Sequence, residues 1–292
     1  MGRDNKMKIA VLSDIHGNYV ALKACLDVAL AQGIETFVFL GDYVAEFPYP
    51  QRTMEILYEM RNKYTCYFIR GNKEDYWITR KYDKDCIWRD GNHTVGAMHY
   101  TYEHQTEKDI SFYQSLKHCE TIQIPGASDL VICHGSPESN TQKLLADKPD
   151  ALAYLEASAH PYIIYGHVHR QGMIERNGTK AINPGAVGVP AGSGGKTQFM
   201  ILHQEDKEWR EEFYSLDYDR ERVLKEIDES GLMEIAPYWT RVTKKLIMDG
   251  SVTHGRVLMK AMELCEAATG SSLWYDIPDV FWEEALRFFD IE

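Results

Sequence analysis

Lys8-Ile9-Ala10-Val11-Leu12-Ser13-Asp14-Ile15-His16-Gly17-Asn18 passes without a break from an apolar run to two metal-type ligands, two residues apart. Four consecutive apolar residues closed by a polar turn read as a strand buried on both faces, the kind found in parallel sheets. Asn18 then offers a cap for a helix whose Leu22, Cys25, Leu26, Ala29 and Leu30 recur at i, i+3, i+4 spacing, stopped by Gly33. Thr36 to Leu40 is the next strand, a helix is expected over Arg52 to Asn62, and Tyr64 to Ile69 forms a third strand. Strand, helix, strand, helix, strand at this spacing is a βαβαβ unit with parallel strands, which puts the chain in the α/β class.

In such sheets ligands bind beyond the carboxyl ends of the strands. Asp14 and His16, Gly41-Asp42 and Gly71-Asn72 all lie there. Two later apolar runs behave alike: Asp129 to Cys133 delivers His134-Gly135, and Tyr162 to Tyr165 delivers Gly166-His167-Val168-His169. Four of the segments have an ordinary explanation when taken alone, whereas two alternate histidines behind Gly166 at a strand exit are rarely needed for packing. Asp14 could cap a helix, Asp42 and Asn72 are routine turn residues, and a lone His134 is commonly a hydrogen-bonded core imidazole. Five such segments at five separate strand ends point to one site instead. Together Asp14, His16, Asp42, Asn72, His134, His167 and His169 supply oxygen and imidazole ligands enough for two ions, with Asp42 suited by type to bridge them. Mixed carboxylate and imidazole suits Mn, Fe or Zn better than a pure Mg or Ca site.

Residues 75–125 are rich in Tyr, His and charge and read as a mostly helical excursion over this site. A helix is expected around Ala146 to Ala159. Short β-like runs at Thr179–Ile182, Thr197–Leu202 and Trp209–Tyr214 suggest antiparallel strands. From Asp217 the pattern turns helical, with one helix over Thr253–Ala268 stopped by Gly270 and a last one over Asp279–Phe289. The expected division is a domain over 1–216 and a helical extension over 217–292. Gly192 to Thr197 looks like part of a phosphate-binding loop. That motif needs a glycine where Pro190 stands and a helix where a strand follows, so a flexible hairpin loop is expected.

Within 292 residues the formal charge is −12, which argues against a broad contact with duplex nucleic acid. It leaves room for a small phosphorylated substrate, because divalent ions reverse the potential locally. The six cysteines form no Cys-x-x-Cys pair, and a reducing, cytoplasmic setting is expected. No apolar run approaches the ~20 residues that cross a bilayer. The polar stretch Met1 to Lys8 lacks a signal peptide's apolar region, and Lys6 stands where myristoylation wants Ser or Thr.

Asp14-x-His16, Gly41-Asp42, Gly71-Asn72-Lys73-Glu74, His134-Gly135 and Gly166-His167-x-His169 resemble, in order over roughly residues 8–214, the calcineurin-like metallophosphoesterases. Asn183 to Pro190 resembles the Asn-Pro-Gly-Ser-Val-Gly segment of that family's compact prokaryotic phosphodiesterase branch. The resemblance implies a four-layer αββα sandwich, here followed by the helical extension. It implies one ion held by Asp14, His16, Asp42 and His169, and a second held by Asp42, Asn72, His134 and His167. The cofactors would be two divalent ions, Mn, Fe, Zn or Ni, with Mn the first choice in assay. The implied activity is phosphate-ester hydrolysis by a metal-bridged hydroxide, with a phosphodiester slightly favoured. A phosphomonoesterase, a nucleotide or dinucleoside-polyphosphate hydrolase, and a catalytically weak binding module on the same fold are the alternatives.

Asp42, Asn72 and Lys73 are the catalytic candidates, with Arg70 and Lys73 as substrate contacts. Arg70 resembles the arginine preceding this motif in Ser/Thr phosphatases, although a surface arginine at a strand end is an equally ordinary explanation. Lys73 departs from the pattern, since many family members have histidine there to protonate the leaving group. An unperturbed lysine near pKa ~10.4 is a poor acid. Lys73 could instead stabilise phosphate charge, have its pKa lowered by the two metals, or serve esters whose leaving group needs little protonation, such as aryl, nucleotidyl or phosphoanhydride esters. His93, His99 and His104 are further acid candidates, with a surface position as the default. The C-terminal helices could form a dimer interface, a lid or simple packing, and packing is the default.

Overall fold

A computed structural model describes residues 6–83, 88 and 91–292. Met1, Gly2 and Cys86 lie outside the described residues, as do parts of the 75–125 excursion. The elements run β1 (Lys8–Leu12), α1 (Tyr19–Ala31), β2 (Thr36–Phe39), α2 (Pro50–Lys63), β3 (Thr65–Phe68), α3 (Asn72–Tyr82), α4 (Gly96–Glu103) and α5 (Glu107–Ser115). Then come β4 (Cys119–Ile122), β5 (Leu130–Cys133), α6 (Pro149–Ala157), β6 (Tyr162–Ile164), β7 (Gln171–Arg176), β8 (Thr179–Pro184), β9 (Thr197–Glu205) and β10 (Glu208–Leu216). The remainder is helical: α7 (Arg220–Glu229), α8 (Leu232–Ile235), α9 (Pro237–Asp249), α10 (His254–Thr269) and α11 (Asp279–Phe288).

The strands form two five-stranded sheets, ordered β10-β9-β1-β2-β3 and β4-β5-β6-β8-β7. Period-two alternation along each strand divides its apolar residues between two layers. Ile9, Val11, Val38 and Leu40 of the first sheet meet Leu130, Ile132, Ile164 and Ile182 of the second in a core between the sheets. The alternate residues Ala10, Leu12, Phe37 and Phe39 face the other way, toward Leu22, Cys25 and Leu26 of α1 and Leu57 of α2. Val131, Cys133 and Ile163 likewise face Ala151 and Leu155 of α6. Helix, sheet, sheet, helix: the four-layer sandwich follows from strands that are apolar on both sides.

The parallel βαβαβ unit is present, with β1 parallel to β2 and β2 parallel to β3. The Asn18 side chain accepts from the Ala21 amide at 3.1 Å and caps α1. Two features differ from the expectation. The later strands do not make a separate antiparallel half, because β9 and β10 complete the first sheet beside β1 while β8 joins the second, parallel to β6 and antiparallel to β7. The excursion also contains a strand, β4, which pairs antiparallel with β5. Both β4 and β7 are edge strands whose polar, partly exposed residues carry no apolar signal.

Helices α9 to α11 enclose their own core of Tyr238, Val242, Val257, Ala261, Trp282 and Leu286. Val223 and Ile227 of α7 and Leu246 and Ile247 of α9 pack instead on Tyr19, Val20, Phe47 and Val189. The helical segment is thereby seated against the start of α1 and the loops that follow β2 and β8. Among the described residues no helix is long and apolar enough to cross a membrane.

Candidate metal centre

The carboxyl ends of β1, β2, β3, β5 and β6 meet at one edge of the sandwich. The loops leaving them are hydrogen-bonded to one another: the amides of Asp14 and His16 donate to the carbonyls of Gly41 (3.2 Å) and Asp42 (2.9 Å), and the Gly166 amide donates to His134 (2.7 Å). This approach demands glycine. A Cβ on Gly41 would lie 2.5 Å from the Gly71 nitrogen, and Gly41 itself has φ of +93°. Asp14, His16, Asp42, His167 and His169 all have φ between 53° and 65°, a left-handed conformation uncommon outside glycine. Such strain clusters at functional sites, where the surroundings hold side chains in poses they would not choose alone.

The predicted ligands converge. His169 Nε2 lies 3.1 Å from Asp14 Oδ1, and His16 Nε2 lies 3.5 Å from Asp42 Oδ2. His134 Nε2 is 3.5 Å from Asp42 Oδ1 and 3.1 Å from Asn72 Oδ1. Asp42 thus presents one carboxylate oxygen to His16 and the other to His134. His167 stands further out: its ring centroid is 5.1 Å from that of His134, and its Nε2 donates to the Thr141 carbonyl at 3.1 Å. Two groups have ligand atoms close enough to share an ion, Asp14 with His16 and His169, and Asp14 with Asp42 and His134.

Surrounding groups fix these side chains. Asp14 Oδ2 accepts from Ser13 Oγ (2.6 Å) and from the His167 amide (3.0 Å), while its buried Oδ1 faces His169 Nε2 and accepts no hydrogen bond. His16 Nδ1 bonds the Glu46 carboxylate, and His16 Nε2 is likewise buried without a hydrogen bond. His134 Nδ1 donates to the Leu40 carbonyl at 2.7 Å, which turns Nε2 toward Asp42 and Asn72. A histidine whose outer nitrogen is held by a carboxylate or carbonyl is a typical metal-ligand arrangement. Two such atoms of ligand type, aimed into one carboxylate-imidazole cluster, fit a divalent cation.

Burial alone would raise the Asp14 and Asp42 carboxyls, but the neighbouring histidines hold Asp14 down at about 2 and Asp42 well below the carboxylate range. Burial works against charged His16 and His134, yet Glu46 and Asp42 lift them to about 10 and about 9. His167, buried and close to His134, falls to about 4.

Sequence reasoning missed three residues here. Glu74 accepts from the amides of Gly71 (2.7 Å), Asp42 and Tyr43 (both 2.9 Å), tying the β2 and β3 exits together. Its burial, with the Asp42 charge, pushes its carboxyl up to about 7. Glu46 joins His16 to Lys73, whose Nζ is 3.1 Å away. His254, at the start of α10, lines the same cavity and bonds Thr243 Oγ1 at 2.8 Å. Glu74 stood in a quoted motif, whereas nothing local marks a lone Glu46 or a distant His254.

The cavity at this edge has a volume of about 490 Å³. Lys73, Lys143, Arg170 and Arg256 are the cations among its described lining residues. Burial disfavours the Lys73 ammonium, but Glu46 and Asp42 hold its pKa above the ordinary lysine value. Arg70 is turned to Asp75 (3.1 Å) and His118, away from the described lining. His93 pairs with Asp279 and His104 stacks on Tyr100; neither they nor His99 are among the described lining residues.

The family model of the calcineurin-like phosphoesterase superfamily domain matches residues 7–207, and the chain belongs to that family. An uncharacterised protein of Methanocaldococcus jannaschii is 26% identical over 246 residues, covering 78% of this chain and 95% of that protein. Among solved structures, a hypothetical protein from Pyrococcus horikoshii OT3 superposes with a TM-score of 0.70 at 21% identity, covering 85% of this chain and all of that one. A metallophosphoesterase from Sphaerobacter thermophilus gives 0.62 at 22% identity, covering 84% of this chain and all of that one. These two likenesses bear on the fold, and the family match on the chemistry class.

Proposed function

We propose that this chain is a phosphoesterase that works with two divalent ions, one held by Asp14, His16, Asp42 and His169 and the other by Asp42, Asn72, His134 and His167. The observation that carries this reading is the pair of buried atoms without a hydrogen bond, Asp14 Oδ1 and His16 Nε2, inside the converging ligand set. Bound ions would supply Lewis-acid stabilisation of the phosphoryl oxygens and a hydrolytic nucleophile at neutral pH. His167 would coordinate through Nδ1, since its Nε2 is donated to Thr141.

The chain's own groups do the rest. Asp42 stands between His16 and His134, and the Lys73 amide donates to its Oδ1 at 2.9 Å. Asn72 holds an amide oxygen beside His134, with its side-chain nitrogen able to donate to a phosphate oxygen. Lys73, ion-paired to Glu46 on the cavity wall, offers fixed positive charge to the equatorial oxygens of the phosphoryl group. Arg70 follows β3 at the same strand exit and is the second candidate cation, although its side chain is turned to Asp75. A phosphodiester is favoured as substrate class on the resemblance of Asn183–Pro190 to the diesterase branch.

The test is a panel of p-nitrophenyl phosphate, bis(p-nitrophenyl) phosphate and nucleotides, run on chelated protein with Mn, Fe, Zn or Ni restored. Metal-dependent hydrolysis, strongest on the diester, is expected. Tight metal binding without turnover of any ester would instead identify a binding module.

A further inference from the structure

Beside the first cavity lies a second of about 390 Å³, within the range of about 300–1,000 Å³ usual for small-molecule sites. It shares Glu46, Lys73 and Trp239 with the first cavity, so the two adjoin across those three side chains. Its chemistry is different. Tyr76, Trp239, Leu258, Met262 and Trp274 supply much of its wall. Lys73 and Glu46 are the charged groups among its described lining residues, and they are ion-paired to each other at 3.1 Å. The Trp239 indole N–H is already donated to the Thr94 carbonyl.

We propose that this apolar chamber seats the organic ester group of the substrate, and that it selects an aromatic, hydrocarbon-like group. The inference rests on the phosphoesterase reading above and deepens it. A phosphorus atom bound at the ligand cluster must carry its ester groups outward, and the adjoining chamber is walled by rings and aliphatic side chains. A charged or strongly polar group entering it would lose water and find the nearby charges already paired, whereas a flat apolar ring loses only its contact with water. Four of the named wall residues, Trp239, Leu258, Met262 and Trp274, lie beyond residue 207, where the family match ends. The C-terminal helices therefore add the specificity surface to a shared catalytic core.

The test is calorimetric titration of the full-length, Mn-loaded protein with phenylphosphonate and with methylphosphonate. Phenylphosphonate should bind at least about tenfold more tightly, as expected for burying one ring. Filling the chamber with Met262→Trp, or separately with Leu258→Trp, should bring the ratio of the two affinities to about one. Equal affinities in the unaltered protein, or a ratio that survives both substitutions, would overturn the proposal. A gain for adenosine 5′-phosphate over ribose 5-phosphate without one for phenylphosphonate would overturn the hydrocarbon assignment in favour of a base. Titrating p-nitrophenol into chelated protein separates the two readings. Binding that is lost in Met262→Trp supports the chamber even if no ester is hydrolysed. Ester hydrolysis without any phenyl preference sinks the chamber alone.

Discussion

Asp14, His16, Asp42, His167 and His169 hold left-handed backbone, and Ser13, Glu46 and the Thr141 carbonyl fix the side chains of Asp14, His16 and His167. Asp42 is the most exposed to test, because its two oxygens face different histidines. Asp42→Asn keeps the shape but removes the charge, so it should lower metal-dependent turnover by roughly 10³-fold or more while leaving the fold intact, read by steady-state rates beside circular dichroism. Retention of full activity would remove Asp42 from the bridging position. Lys73→His tests the departure from the family pattern: turnover should rise more on esters with poor leaving groups than on p-nitrophenyl esters. Equal effects on both would show that position 73 has no part in leaving-group departure. The metal-type residues were legible in the sequence because each follows an apolar strand directly. Glu46 was not, for it sits in an irregular loop and acquires meaning only through His16 and Lys73 in space.

At the scale of elements, the site depends on how closely the strand exits approach. Gly41→Ala places a Cβ against the Gly71 backbone at a φ of +93°, and should cost about 1–3 kcal/mol in denaturant unfolding together with weakened metal affinity. An alanine tolerated at both levels would mean the two loops are not held in contact. Ile132, buried between the sheets, should lose about 2–5 kcal/mol on truncation to alanine with little change in the metal dependence of activity. The central strands of both sheets were readable because both of their faces are apolar. The edge strands β4 and β7 were not, since Cys119–Ile122 and Gln171–Arg176 leave much of their length to solvent and look like loop sequence. Which sheet β9 joins was also hidden, because pairing across a sequence gap leaves no local mark.

For the whole molecule, the C-terminal helices reach the edge that carries the metal-type cluster through His254, which is half-buried and stacks on Trp239 at 5.1 Å. Burial pulls its pKa from 6.5 down to about 4, against the opposing pull of Glu46. An imidazole depressed in this way leaves stability untouched above pH 6.5. As the pH falls from 6.5 toward 4 the unfolded chain takes up a proton that the folded protein refuses, so stability declines across that window. The loss should be roughly 1–3 kcal/mol, the lower figure allowing for its partial exposure. His254→Gln should flatten that part of the stability curve relative to the unaltered protein, and an unchanged slope would assign the acid sensitivity elsewhere. Metal binding acts in the opposite sense, raising the melting temperature by mass action as long as the ions bind only the folded chain.

The most direct measurement is the titration of Mn into chelated full-length protein, followed by hydrolysis of bis(p-nitrophenyl) phosphate. A two-ion centre built on Asp42 predicts no turnover without metal and a rise that breaks at two equivalents per chain. Turnover that persists in the chelated protein, a break at one equivalent, or none at any Mn concentration would contradict it.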